Sequence, residues 1–229
     1  MSDLIDTREM FLKAIFELNE TGAPALRARL SERLGQAMPS VSQTITRMIR
    51  EGFVTLDDDR HVVLTALGAA RATAVVRKHR MAERLLHDVL GLDWSKCHDE
   101  ACRWEHVITD EAELLIARQL VTLDTDPYGN PIPGLEALGL PPAAERATTT
   151  HLVEVAGRLG GAGEICVASI GEAAQAHPQL LRRLSDAGIG IGVTVNCRRV
   201  DGNYLLQAQG SALVVELDRQ LAEQFFVSV

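Results

Sequence analysis

The chain has 229 residues, 46% of them hydrophobic and 4% aromatic, with 23 basic against 31 acidic side chains and a formal net charge of −8. At about 100 to 200 residues per domain, this allows one large domain or two to three small ones, and the apolar content excludes intrinsic disorder for most of the chain. No apolar run reaches the roughly 20 residues of a membrane span, and the opening MSDLIDTREM lacks the basic and apolar blocks of a signal peptide. The expectation is a soluble, cytoplasmic protein without a membrane partner.

Cys97, Cys102, Cys166 and Cys197 are irregularly spaced with no CxxC pair, so they read as reduced thiols rather than a disulfide framework. The net charge argues against a polyanion partner, but it is unevenly spread. Residues 1–73 hold 9 basic and 10 acidic side chains, residues 74–140 hold 7 and 12, and residues 141–229 hold 7 and 9. Between residues 27 and 50, Arg27, Arg29, Arg33, Arg47 and Arg50 face Glu32 alone, a local +4.

In chain order, Met10, Phe11, Ala14, Ile15 and Leu18 recur at helical spacing and predict a helix over 3–20, stopped at Thr21-Gly22. LRARLSERL predicts a second, short helix over 26–34, ended by Gly35. Pro39, tolerated in a first helical turn, opens a third that runs to Gly52. FVTL and HVVLT, separated by Asp57, Asp58, Asp59 and Arg60, predict a hairpin. Three helices and then a hairpin is the order of a winged helix-turn-helix. Thr65 is positioned to cap a long helix closed by Gly91, and two more helices are expected at 95–107 and 110–123. DPYGNPIPGLEALGLPPAAE carries five of the eight prolines and marks a boundary of extended chain. Beyond it EICVASI, IGIGVTVNC, NYLLQAQ and SALVVEL predict a small barrel with one helix at HPQLLRRLSDAG.

The helix over 95–107 places His98, Cys102, Glu105 and His106 at i, i+4, i+7 and i+8, which at about 100° per residue form one stripe. His79 and Glu83, at i and i+4, make a second ligand pair on the preceding helix. A lone His/Glu pair is usually a solvated contact and a lone cysteine a small hydrophobe, but burying a stripe of two His, one Cys and one Glu unpaired costs several kcal/mol. Mixed N, O and S donors suit a borderline transition metal and exclude calcium or magnesium, while spacing alone leaves Fe, Co, Ni, Mn and Zn open. No HExxH, GxSxG, Walker or dinucleotide motif is present, and no enzyme is expected.

The third predicted helix begins Pro39-Ser40-Val41-Ser42-Gln43-Thr44 and carries Arg47 and Arg50 further along. Short polar side chains let a helix N-terminus approach DNA, Gln43 can bond a base edge, and the arginines suit phosphates. Arg27 and Arg29 can hold phosphates from the second helix, and Arg60 at the hairpin tip can enter the minor groove. The bland alternative is a helical module whose polar face is merely solvated.

Taken together, DTREMFLKAIFELNE, LRARLSERL, MPSVSQTITRMIREGFV, TAVVRKHRMAERLL, KCHDEACRWEHVITDE and DPYGNPIPGLEALG resemble the diphtheria toxin repressor family, in particular its actinobacterial iron-dependent regulators. The resemblance is strong to about residue 140 and weak over 150–229. It implies an α+β chain: a winged helix-turn-helix DNA-binding domain (1–73), a helical metal-binding and dimerisation domain (74–140), a proline-containing linker (141–150) and a C-terminal SH3-like β-barrel (151–229). It also implies an Fe2+-activated repressor that binds a palindromic operator as a homodimer. Two metal sites per subunit are implied: one from Met10, Cys102, Glu105 and His106 with the Cys102 carbonyl nearby, the other, ancillary, from His79, Glu83 and His98, completed by Glu172 and Gln175. Co2+, Ni2+, Mn2+ or Zn2+ are expected to substitute in vitro. Two positions depart from the family. Ala37 stands where a small polar residue is common, and Asp126 replaces a Ser or Cys where some members hold an anion with Arg80 and Asn130; a carboxylate there disfavours an anion. The alternatives are a manganese-responsive regulator of the same broad family, a metal store or metallochaperone, and a metal-dependent hydrolase.

Overall fold

The computed structural model describes residues 6–143 and 149–228. Residues 3–5 of the first expected helix and 144–148 of the expected linker lie outside the described residues.

Helix α1 (Thr7–Glu20) starts where the Asp6 carboxylate accepts the Arg8 N–H at 2.9 Å. Phe11, Leu12, Ala14 and Ile15 fill the core beneath it, yet Glu9, Lys13 and Glu17 are also buried, at 6%, 7% and 8% exposure. α2 (Arg27–Leu34) ends on Gly35 in the left-handed conformation, and α3 (Met38–Arg50) begins with Pro39 in its first turn. Strands β1 (Val54–Leu56) and β2 (Val62–Leu64) pair antiparallel, Val54 opposite Leu64. Leu30, Val41, Ile45, Met48, Val54 and Val62 join the α1 residues in one apolar core, which makes this region a winged helix.

α4 (Ala66–Arg84), capped by Thr65, carries the chain out of that unit. Its Gly68 lies so close to the wing that a Cβ there would sit 1.9 Å from the Phe53 carbonyl oxygen. The helix expected to run on to Gly91 changes at Leu85: Leu85–Val89 form a π turn, a local widening often found near functional sites. α5 (Trp94–Trp104) follows, then α6 (Asp110–Gln119), capped by Thr109 and shorter than expected because Leu120 is extended. α5 stops short of the expected 107, since the Val107 and Ile108 N–H groups both bond back to the Trp104 carbonyl and close a turn. The proline-rich segment contains a 3-10 turn at Leu135–Leu138 and is held against the C-terminal unit by Asn130 Nδ2, which donates to the Ile170 carbonyl at 2.8 Å.

The C-terminal unit contains β3 (Thr150–His151), α7 (Leu152–Arg158), β4 (Ala162–Ile170), α8 (Glu172–Gln175), α9 (Pro178–Asp186), β5 (Thr194–Val200), β6 (Asn203–Ala208), β7 (Val215–Leu217), α10 (Arg219–Ala222) and β8 (Phe225–Ser228). Among the described residues its strands form one antiparallel sheet in the order β3-β8-β4-β5-β6-β7. Among the described residues it holds four helices rather than the one expected, α7, α8 and α10 being too short to show a clear period. Two of the expected strands shrink: β5 starts only at Thr194, after turns at Gly188 and Gly192, and β7 only at Val215. The sheet core is continuous with Ala82 on α4, Leu86 in the π turn and Cys97 and Ala101 on α5, so α4 and α5 are gripped between the two units.

Candidate metal centre

At that junction the donors converge. His79 and Glu83 lie one turn apart on α4, with His79 Nε2 2.8 Å from Glu83 Oε1. α5 brings His98 opposite, its Nδ1 3.2 Å from both His79 Nε2 and Glu83 Oε1, and its Nε2 3.6 Å from Cys102 Sγ one turn on. His79, His98 and Cys102 offer ligand atoms that all lie within 4.8 Å of one another. Glu105 caps α5 and reaches both ways, with Oε2 2.6 Å from His79 Nδ1 and Oε1 3.3 Å from His106 Nε2. His106 therefore joins from the turn after α5, not from the helical stripe its spacing suggested.

Helix α1 enters the same cluster. The Glu9 carboxylate binds His106 Nδ1 at 2.7 Å, and Lys13 Nζ lies 2.7 Å from Glu105 Oε2, 2.9 Å from His79 Nδ1 and 3.9 Å from Cys102 Sγ. Met10 is half-buried between them in sequence, one turn before Lys13. From the C-terminal unit, α8 contributes Glu172, whose Oε2 is 3.3 Å from Lys13 Nζ and 3.8 Å from His79 Nε2. Gln175, on the same short helix, is fully buried and donates from Nε2 to the Ile170 carbonyl at 2.7 Å, leaving its amide oxygen free of a hydrogen bond.

The charges are held in place by one another. Burial works against every charged form here, but the Lys13 ammonium and the imidazoles of His79 and His98 bring the Cys102 thiol down to about 5. Against the same penalty His79 brings Glu83 down to about 2, and Cys102 with Glu83 lifts His98 to about 9. The carboxylates of Glu83 and Glu105 and the Cys102 thiol are thus held as anions by the cations packed among them, and a divalent cation would do the same work.

Three buried side-chain oxygens make no well-aligned hydrogen bond among the described residues: Glu83 Oε2, Gln175 Oε1 and Glu172 Oε2, the last having only the Lys13 ammonium beside it at 3.3 Å. Unsatisfied buried acceptors are rare and call for a cation or water. Together with two imidazole nitrogens facing each other at 3.2 Å and a thiolate beside them, they form a donor set that fits a transition-metal ion.

The candidate DNA face lies at the other end of the winged helix. Pro39, Ser40, Gln43, Arg47 and Arg50 are exposed along α3, with Ser42 partly so, while Val41, Ile45 and Met48 turn inward. Ser42, Gln43, Thr44, Thr46, Arg47 and Arg50 line one shallow groove. Arg27 opens α2, partly buried, and Arg60 projects from the wing with a positive φ of 64°.

Two family models account for the first part of the chain: residues 3–62 match the iron dependent repressor N-terminal DNA binding domain, and residues 65–134 match the iron dependent repressor metal binding and dimerisation domain. The chain is 44% identical over 222 residues to the diphtheria toxin repressor of Corynebacterium diphtheriae, covering 97% of this chain and 96% of that protein. The chain belongs to the iron-dependent repressor family. It is also 47% identical over 191 residues to the iron-dependent repressor IdeR of Mycobacterium tuberculosis, 82% of each chain. Among solved structures, a manganese-dependent transcriptional repressor in complex with manganese matches with a TM-score of 0.76 at 27% identity, over 97% of this chain and 99% of that one. The winged helix, the helical middle and the antiparallel C-terminal sheet are thus those of an iron-dependent repressor.

Within this family fold the chain has its own features. Asp126 is buried, its Oδ1 accepting the N–H groups of Tyr128 at 2.8 Å and Asn130 at 2.9 Å and its Oδ2 accepting Asn130 Nδ2 at 2.9 Å. Arg80, 1% exposed, spends its guanidinium on Glu20, Glu172 and the Pro131 carbonyl, with Asp126 Oδ2 3.7 Å away. The groups that would hold an anion are occupied by the protein's own carboxylates. Sequence reasoning passed over Glu9, Lys13 and Glu17. Their i, i+4, i+8 spacing alongside the apolar stripe was the available signal, since three charges on the buried side of a helix need partners.

Proposed function

We propose that this chain is an Fe2+-activated transcriptional repressor, acting as a homodimer on a palindromic operator. The observation that carries the reading is that α1, a core helix of the winged helix, places Glu9 and Lys13 in contact with His106, Glu105 and His79 of the donor cluster. Metal occupancy and the orientation of the DNA-reading unit therefore share one set of contacts. The chain divides functionally at residues 1–73, 74–140, 141–150 and 151–229. In this reading Met10, Cys102, Glu105 and His106 hold one ion with the Cys102 carbonyl close by, and His79, Glu83, His98, Glu172 and Gln175 hold the second. When bound, the ions supply positive charge that takes the place of protons among the acidic donors. Met10 on α1 would then share an ion with Cys102 of α5, which would fix α1 and, through the shared core, α3. Sulfur donors at Met10 and Cys102 favour iron over manganese, which prefers oxygen ligands.

Ser42, Gln43 and Pro39 face the base edges in this reading, and Arg27, Ser40, Arg47, Arg50 and Arg60 face the backbone or minor groove. Six exposed large apolar residues, Val89, Leu90, Val107, Leu114, Leu115 and Val121, fall within the helical middle region, where a homodimer needs apolar surface. A hundredfold gain in operator affinity on metal binding needs about 2.7 kcal/mol of coupling, within reach of one or two ligand bonds made only in the DNA-competent state. The test is selection of DNA from a random pool by the protein with and without Fe2+ under reducing conditions. A palindrome enriched only with Fe2+ is expected; equal enrichment without metal would refute the co-repressor role, and none in either would leave a metal-storage protein. At the DNA face, Gln43→Ala is expected to relax discrimination at one base pair by about 1–3 kcal/mol, while Arg50→Ala weakens all sequences alike and flattens the salt slope. Binding measured across single-base operator variants and salt concentrations separates the two.

A further inference from the structure

Lys13 stands outside both proposed ligand sets but between them. Its ammonium is seated among donors from three other elements: Glu105 Oε2 at 2.7 Å and Cys102 Sγ at 3.9 Å from α5 and its cap, His79 Nδ1 at 2.9 Å from α4, and Glu172 Oε2 at 3.3 Å from α8. Glu105 and Cys102 belong to one proposed ion site, His79 and Glu172 to the other. The lysine is only 7% exposed, and a buried ammonium persists only where anions surround it.

We propose that Lys13 is a tethered cation that occupies the donor cluster in the metal-free protein and competes with the incoming divalent ion, so that it sets the metal concentration at which the repressor responds. Its charge neutralises carboxylates that would otherwise repel one another, which keeps α1, α4, α5 and α8 together without metal. The same charge opposes a divalent cation arriving at the same oxygens. The four-carbon stem also gives it somewhere to go. Glu17 Oε1 is 3.9 Å from Nζ, one turn along α1, and Glu17 in turn binds Arg33 on α2. An ammonium that withdraws toward Glu17 would exchange one carboxylate partner for another and carry the change to the helix preceding the DNA-reading one. An amine acting as a ligand is a different case: it would have to lose its proton, and its removal would weaken metal binding.

The inference rests on the cluster being a metal site, and the experiment separates the two. Co2+ affinity is measured by competition with a fluorescent chelator for the wild type, Lys13→Gln, Lys13→Met and Lys13→Arg, alongside thermal midpoints without metal. Lys13→Gln and Lys13→Met are expected to bind Co2+ about tenfold or more tightly, the scale of removing one unit charge in contact with the donors, and to melt at lower temperature without metal. Lys13→Arg is expected to bind no more tightly than the wild type. Affinity unchanged or weakened in both neutral variants would overturn the proposal while leaving the metal site intact; no Co2+ binding by the wild type would overturn both. If the neutral variants do not fold without metal, Lys13→Arg decides, and binding tighter than the wild type would refute the role of charge.

Discussion

Cys102→Ala is expected to lower Fe2+ or Co2+ affinity by about a hundredfold or more, beyond the ~10–100-fold that loss of an outer partner of a metal ligand costs. Of the proposed donors Cys102 is the one the site prepares most fully: the neighbouring Lys13, His79 and His98 bring its thiol down to about 5, which favours the thiolate that binds metal. Its loss also leaves His98 Nε2 without its partner at 3.6 Å. The metal-free fold should persist, because Cys102 is only half-buried and the apolar contacts of α5 run through Cys97 and Ala101. Retention of DNA as a function of Fe2+ should shift to higher metal by the same factor. Met10→Ala should bind metal less tightly and lose more of the coupling to DNA than of the affinity. Operator binding by either variant with the Fe2+ dependence of the wild type would remove the bridge between α1 and α5 from the mechanism.

Arg80→Ala is expected to destabilise the protein by about 3–5 kcal/mol, the usual cost of removing one partner from a buried ionic network. The guanidinium joins three elements: Glu20 at the end of α1, Glu172 on α8, and the Pro131 carbonyl of the proline-rich segment. Without it, the buried Glu172 and Asp126 both lose the guanidinium beside them in an interior with little water to replace it. Denaturant unfolding measures the effect, and a loss below about 1 kcal/mol would mean that the network relaxes around the gap. Arg80→Lys should recover only part of the stability, since a single ammonium cannot reproduce a fork that reaches two carboxylates and a carbonyl.

Local pattern and final structure agree where short-range rules operate. The helix cap at Thr65, the left-handed stop at Gly35 and the pairing of β1 with β2 all follow from bonds between residues close in sequence. His98 and Cys102 lie one turn apart on α5, as i and i+4 require. The less legible parts depend on neighbours remote in sequence. The end of α5 at Trp104 frees His106 to approach from a turn, and the π turn at Leu85–Val89 interrupts a run whose composition looks uniformly helical. In the C-terminal unit, short helices α7, α8 and α10 span seven or fewer residues each, less than the two turns over which a helical period shows itself.

The opening net charge of −8 shows the division most clearly. The sequence by itself determined that the deficit is concentrated in residues 74–140, that residues 27–50 are locally basic, and that His98 and Cys102 share one face of a helix. Those properties depend on residue type and on spacings of a few positions, which the backbone period converts directly into faces. Only the tertiary structure decided which charges meet: that Lys13 sits among Glu105, His79 and Glu172, that Glu9 pairs with His106, and that Asp126 turns its carboxylate onto Asn130 beside Arg80. These partners are separated by up to 159 positions in the chain, Lys13 and Glu172 being the widest pair. Their meeting is set by how α1, α4, α5 and α8 pack, because the energy of a buried charge depends on what surrounds it in space and not on what precedes it in the chain.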